Sequence, residues 1–320
     1  AHSGLIHYVE GRVLLDGKPV ESKIGSFPEV KENMELRTED GRAEVLLNPG
    51  VFLRLSENSS VRMVSNKLSD SQVEFLDGSA MVEASSQLAQ KENTVAILYK
   101  GTSVHLRKSG IYRLNSDPAQ FMVYSGEAEV AGGSNTLTVK SSRMVSLENP
   151  VAAEKFDAKS GDALSRWSER RGEYISMANV SAAKYASESG TGLSGNSWMY
   201  NPYFGMYTYV PLNGMFYSPY GYPYYSPGRV YQAYQYPGAY YGGRSGFAGG
   251  GRAPVTNTGF GVPGTGTSTA TASTAPMARG VNTGAFGGSG ASLGGASAGH
   301  MGGGQMGGGH MGGGGGGRSK

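Results

Sequence analysis

The chain of 320 residues contains no cysteine, five histidines, two tryptophans and no run of 18 consecutive apolar residues. The first absence excludes a disulfide framework, a thiolate nucleophile and zinc sites of the cysteine type. The last leaves no stretch able to cross a bilayer as a helix. Acid is missing over a long interval: beyond Glu188 there is no Asp or Glu, while Arg229, Arg244, Arg252, Arg279, Arg318 and Lys320 add six positive charges. The net charge of +3 therefore joins two unlike polymers, one weakly acidic up to Gly190 and one almost uncharged beyond it. The first has the make-up of an ordinary folded domain, and the second relies on Gly, Ser and Thr for solubility. Neither is basic enough to require nucleic acid.

Groups for catalysis are equally scarce. His2 and His7 lie near the start, His105 falls on an expected strand beside Arg107, and His300 and His310 sit in the glycine tail. None accompanies a Ser and an Asp in a nucleophilic arrangement. Glu127 and Glu129 share one strand face at i, i+2, as outward charged faces routinely do. No Gly-Lys-Ser/Thr follows a strand, so there is no phosphate loop. The expectation is a non-enzyme without cofactor or metal. The tail repeats His-Met-Gly-Gly-Gly and Gln-Met-Gly-Gly-Gly, whose thioethers and imidazoles suit copper, but few ligands on flexible glycine bind weakly.

What is present is alternation. From Leu5 to Glu148, short apolar/polar runs are separated by turn residues at strand-and-turn intervals, the signature of an all-β domain. In RAEVLL, Ala43, Val45 and Leu47 share a face opposite Arg42 and Glu44; after Asn48-Pro49-Gly50, VFLRL places Val51, Leu53 and Leu55 on one side. QVEFL and SAMVEA flank Asp77-Gly78, a hairpin signal. QVEFLDGSAMVEAS from Gln72 resembles QFMVYSGEAEVAGG from Gln120, a weak internal repeat. The fold class is mainly β, either a sandwich or a short β-solenoid of repeated hairpins, assigned to residues 1–150.

Residues 151–190 form a linker and one amphipathic helix. Leu164, Trp167, Arg171, Tyr174, Ile175, Ala178, Ala182 and Tyr185 recur at three and four after the cap candidates Ser160 and Asp162, with Gly172 as a weak point. Leu164, Trp167, Tyr174 and Ile175 are its candidate packing residues. Residues 191–241 hold 14 tyrosines and six prolines from Trp198 to Tyr241, so extended and turn structure is expected. Residues 242–320 are a low-complexity tail in which 30 of 79 residues are glycine.

The run LRTEDGRAEVLLNPGVFLRLSENSSVRMV, Leu36 to Val64, followed by VEFLDGSAMVEA, resembles the FecR domain family: a Gly turn, an R-A-x-V-x-L strand, a second Gly turn, an x-L-x-L strand and a polar turn. That resemblance implies an extracytoplasmic β-module, best known from transmembrane anti-sigma regulators that sense an outer-membrane transporter. The start AHSGLIHYVEG reads as the beginning of a mature exported protein, without the anti-sigma and membrane parts. Localisation is expected to be periplasmic, cell-surface or extracellular.

The tyrosine segment supplies the functional expectation. Its interface candidates are Trp198, Tyr200, Tyr203, Phe204, Tyr207, Tyr209, Phe216, Tyr217, Tyr220, Tyr222, Tyr224, Tyr225, Tyr231 and Tyr234. Half of the 14 tyrosines, at about 150 Å² each, would bury roughly 1,000 Å². A self-assembling structural subunit of a surface filament or matrix is therefore expected, a homo-oligomer with an envelope protein or cell-wall partner. The alternative is an extracytoplasmic FecR-type binding or sensor module for a protein or envelope partner, with the tail as a tether; for the tyrosine segment itself, the competing expectation is that it folds back over its own β-domain and helix. A copper titration of the full chain is expected to show no stoichiometric binding that depends on the His-Met repeats; a saturable tail-dependent isotherm would contradict this.

Overall fold

The computed structural model describes residues 3–21, 25–85, 94–190 and 196–235, all within one compact unit spanning Ala1–Pro254. The glycine tail assigned to 242–320 lies outside the described residues, as do Tyr236, Tyr240 and Tyr241 of the tyrosine segment.

The chain winds back and forth between two sheets. Strand β1 (Leu5–Glu10) belongs to the first; β2 (Val13–Leu15), β3 (Lys18–Pro19) and β4 (Glu35–Thr38) belong to the second. The hairpin β5 (Arg42–Leu46) and β6 (Val51–Leu55) returns to the first sheet, and β7 (Ser60–Lys67) with β8 (Asp70–Asp77) to the second. Then β9 (Ser79–Ala84) lies in the first, and the pair β10 (Thr94–Tyr99) and β11 (Thr102–Leu106) in the second. Next, β12 (Gly110–Ser116) and β13 (Ala119–Ser125) enter the first, β14 (Glu127–Gly132) and β15 (Asn135–Lys140) the second, and β16 (Arg143–Ser146) and β17 (Glu154–Lys155) the first. Helix α1 (Ala163–Glu188) follows. After it come two small hairpins, β18 (Ser197–Asn201) with β19 (Met206–Val210) and β20 (Met215–Tyr217) with β21 (Pro223–Tyr225), and a one-turn helix α2 (Gln232–Gln235).

The first sheet runs β1-β5-β6-β9-β12-β13-β16-β17 and the second β15-β14-β11-β10-β8-β7-β4-β2-β3. Pairing is antiparallel throughout both sheets except between β10 and β8. Their facing sides form one apolar core: Ala43, Val45, Leu53, Leu55, Val82 and Phe121 from the first sheet meet Leu36, Val61, Phe75, Ile97, Val104 and Val130 from the second. Of the two architectures open at the level of sequence, the sandwich is the one formed, because a single core closed between two sheets satisfies both alternating faces. The alternation in RAEVLL and VFLRL holds: Ala43, Val45, Leu47, Val51, Leu53 and Leu55 all point into that core.

The Asp77-Gly78 pair does not close a hairpin. Its flanking strands lie in different sheets, and only Gly78 has a positive φ, of 87°, whereas a two-residue primed turn needs it at both positions. The equivalent Gly126, with φ 94°, likewise carries the chain from β13 to β14 across the sandwich. At each crossing a hydroxyl from a neighbouring segment occupies the space where a Cβ would project: Ser59 Oγ over Gly78 and Tyr112 Oη over Gly126. Each hydroxyl accepts the amide that follows the glycine, Ser79 N–H at 2.9 Å and Glu127 N–H at 3.2 Å. The weak sequence repeat therefore marks two equivalent sheet-to-sheet crossings.

Helix α1 begins where Asp162 caps it, its carboxylate accepting Ser165 N–H at 2.9 Å and pairing with Arg113 at 2.7 Å. It buries an arc wider than the expected stripe. Leu164, Trp167, Arg171, Ile175, Ala178 and Ala182 are joined by Ser168, Gly172, Ser176, Asn179 and Ala183, small or polar residues that admit close neighbours. Tyr174 and Tyr185 then fall outside the arc, 55% and 66% exposed. Tyr174 accordingly does not pack as the period alone implied; the helix has turned its small-residue face inward.

Gly78→Ala is expected to cost about 1–3 kcal/mol from the backbone conformation alone, plus displacement of Ser59, read as a lowered urea midpoint. A variant as stable as the parent would refute this account of the crossing.

Candidate functional site

On the strands at the centre of the first sheet, the faces turned away from the sandwich core are also buried. Glu44 on β5, Arg54 on β6 and Glu83 on β9 are each 0% exposed, covered by α1 and the hairpins. Register aligns the first pair, since Glu44 lies directly opposite Arg54. Arg54 Nε donates to Glu44 Oε2 at 2.7 Å, and its Nη1 donates to Glu83 Oε2 and to Ser168 Oγ, both at 2.8 Å. The other Glu44 oxygen accepts from Arg171 Nη2 at 2.8 Å, the helix reaching down to the sheet. His7 on β1 completes the shell: its Nδ1 lies 2.8 Å from Glu44 Oε1, and its Nε2 accepts Tyr207 N–H at 2.9 Å. Because Nε2 acts as acceptor, the proton of the neutral ring sits on Nδ1 and is donated to Glu44.

The electrostatics follow from the partners. Burial disfavours the Glu44 carboxylate, yet Arg171 and Arg54 overcome it and hold the group well below its ordinary value near 4.5. Burial wins at Glu83, which has one guanidinium and the Ser85 hydroxyl, and its carboxyl is raised. Burial also lowers His7, helped by Arg171 and Arg54 and opposed by Glu44. Arg54 keeps its charge, stabilised by two carboxylates.

Gly172, at mid-helix, belongs to this site. A Cβ there would lie 3.0 Å from Glu83 Oε2 and 3.2 Å from the Tyr220 ring, so the glycine lets the helix backbone rest on the buried carboxylate. Tyr220 donates its hydroxyl to Ser168 Oγ at 2.7 Å, linking the tyrosine segment to the same network. Aromatic faces screen the cations: Arg54 lies 5.2 Å over Phe52, and Arg171 4.1 Å over Tyr8.

The two hairpins are fastened mainly through α1. Asn179 donates to Tyr209 O at 2.9 Å and Tyr225 O at 3.0 Å and accepts Tyr225 N–H at 2.7 Å. Ser176 donates to Pro223 O, Thr208 to Ile175 O and Asn201 to Ala178 O, all between 2.6 and 2.8 Å. Of the aromatic residues singled out from sequence, Tyr209, Tyr224 and Tyr225 are buried inside the chain. Trp198, Tyr207, Phe216, Tyr220 and Tyr222 are half-buried, Trp198 packing edge-on to Phe52 at 5.1 Å. Tyr200, Tyr203, Phe204, Tyr217, Tyr231 and Tyr234 are exposed. The helix residues Leu164 and Trp167 pack on Met81, Ile111 and Tyr124, and Ile175 on Leu46 and Phe52.

Glu127 and Glu129 pair with separate cations, Lys108 at 2.9 Å and Arg107 at 3.2 Å, and His105 faces Glu129 across the strands. Among the described residues no group of three His, Cys, Asp or Glu side chains is arranged to hold a metal ion. No described helix is long and apolar enough to cross a membrane. The residues overlooked at the level of sequence are His7, Glu44, Arg54, Glu83 and Ser168. A signal for three of them was present: RAEVL places Arg42 and Glu44, VFLRL places Arg54 and SAMVEA places Glu83 on the outward face of an otherwise apolar strand, and a helix with an inward Arg follows.

A family model described as FecR protein matches residues 34–129, from the approach to β4 into β14. No curated protein matches this chain significantly. Two crystal structures of a candidate anti-sigma factor from Parabacteroides distasonis, at 1.65 and 2.50 Å resolution, are similar at 15% and 16% identity with a TM-score of 0.33. In each case 39% of this chain and 60% of the other are covered, so this chain spans less than two thirds of their length.

Removing one partner from a buried ion cluster strands the others, at a cost of about 3–5 kcal/mol. Glu44→Gln is expected to lose that much in urea unfolding, and Glu83→Gln, whose charge burial already disfavours, distinctly less. Glu44 is depressed in the fold, so its contribution is present above its ordinary value and lost as pH falls through the folded one; Glu83 is raised, so its contribution has the opposite sign. Equal losses for the two variants at neutral pH would contradict this assignment.

Proposed function

We propose that this chain, which carries a FecR domain at residues 34–129, acts as an extracytoplasmic FecR-type module that binds or senses a protein or envelope partner and performs no catalysis. The family match carries the reading. The side-chain chemistry is consistent with it: the buried acids and bases hold α1 on the sheet, and Glu127 and Glu129 are engaged in surface ion pairs. Partner binding needs an outer surface instead. Strand β15 ends the second sheet, exposing Asn135, Thr136, Thr138 and Lys140. An open edge of this kind accepts an added strand.

The filament role has less behind it. The tyrosine count favoured assembly, but Tyr209, Tyr224 and Tyr225 spend their area within the chain. Tyr207 closes on Phe27 and Tyr200, at ring separations of 5.1 and 5.5 Å.

A photo-crosslinking residue at Thr136 in the full chain, expressed in the native host, tests the proposal. The expected result is a discrete adduct with one envelope component and a monomer by light scattering after purification. Concentration-dependent polymers without a heterologous adduct would overturn it in favour of the structural role.

A further inference from the structure

Where α1 and the hairpin β18–β19 cover the first sheet, the hairpin is tied to β1 by a backbone hydrogen bond to the His7 ring. Tyr207 N–H donates to His7 Nε2 at 2.9 Å, across 200 residues of sequence. Around it, Phe27 closes edge-on to Tyr207 and Tyr200 at 5.1 and 5.9 Å and lies 6.0 Å from the His7 ring. A cleft of about 190 Å³ opens beside His7 and Arg171 between β1 and the β18–β19 turn, giving solvent a route toward the ring.

We infer that His7 is an acid-released latch: proton uptake at Nε2 breaks its bond to Tyr207 and frees the β19 side of the tyrosine hairpin from β1. The chemistry is that of donor and acceptor. Neutral His7 donates from Nδ1 to Glu44 and accepts at Nε2, so both nitrogens are satisfied. An imidazolium has donors only, and its Nε2–H would be aimed at the Tyr207 N–H. The bond is lost and the two positive dipole ends repel.

The charged and titratable groups facing His7 come from every neighbouring element. Glu44 on β5 favours a proton on the ring, whereas Arg171 on α1 and Arg54 on β6 oppose it, as does burial. Glu21 and Phe27 from the segment after β3 line the cleft with Tyr8, and Tyr207 and Tyr200 face the ring cluster from the hairpin. The balance lowers His7 below 6.5, so the closed form is favoured above that pH and is progressively lost as pH falls through the folded value. Glu44 stays ionised at lower pH, which separates the latch from general acid unfolding.

Opening at this point leaves the hairpin on α1, because Asn201 and Thr208 still donate to Ala178 O and Ile175 O at 2.8 and 2.6 Å. What opens further is the half-buried pair Phe27 and Tyr207, beside the already exposed Tyr200. The latch stands on its own geometry and does not depend on which partner the sandwich binds.

Hydrogen exchange on the full chain tests it, with protection corrected for the intrinsic pH dependence of exchange. Between about pH 7.5 and 5.0, protection of the β19 amides is expected to fall by at least about tenfold, equivalent to one unit of proton coupling, while amides of α1 hold. His7→Gln, able to accept from Tyr207 and donate to Glu44 without titrating, is expected to abolish that change. Ring nitrogen NMR of the parent protein should show Nε2 unprotonated at neutral pH and gaining its proton with the loss of protection. Constant β19 protection, the same fall in His7→Gln, or His7 titration without exposure of Tyr207 would each overturn the latch. The parent measurements decide the matter even if the variant does not fold.

Discussion

A carboxylate with no access to water, Glu44, is the point on which the rest of the structure depends. In the interior of a protein an isolated charge is prohibitively costly, and it persists only where partners replace its hydration. Here the replacement comes from three separate places in the chain: Arg54 on the adjacent strand, Arg171 on a helix far away in sequence, and His7 on the sheet's first strand. The anion therefore specifies more than local pairing. It selects which helix covers the sheet and which residue of that helix faces it.

The geometry of α1 follows. Had the outward face of the first sheet been wholly apolar, the helix could have lain on it in several rotations with similar energy. Charges at Glu44, Arg54 and Glu83 accept only the rotation that brings Arg171 and Ser168 down and Gly172 against Glu83. That rotation turns Ser176 and Asn179 toward the hairpins, where they bond Pro223, Tyr209 and Tyr225. Tyrosines that would otherwise be free for other contacts are enclosed, and Tyr174 is turned to solvent. The FecR family match at residues 34–129 contains Glu44, Arg54 and Glu83 and ends before these covering elements begin.

Two kinds of information were unequally legible in the chain. Binary alternation exposed the strands, and Asp162 marked the helix start, because both depend on neighbours in sequence. Gly78 was recognisable as a turn glycine, but its role as a crossing between sheets depended on Ser59 and on the sheet that received β9. Gly172 looked like a weakness by helix propensity and proved to be the space a buried carboxylate occupies. The tyrosine content announced large apolar area without stating whose surface would cover it.

By itself the sequence determined an all-β domain with a resemblance to the FecR family, one following helix, and the absence of thiol chemistry and apolar membrane spans, since period, composition and residue type are properties of the chain alone. Only the tertiary structure decided that both faces of the central strands of the first sheet are buried, that Glu44, Arg54, Arg171 and His7 form one cluster, and that the described tyrosine hairpins lie over their own domain. Those outcomes depend on register between strands and on the rotation of a helix about its axis, and both are set by contacts between residues up to 200 positions apart.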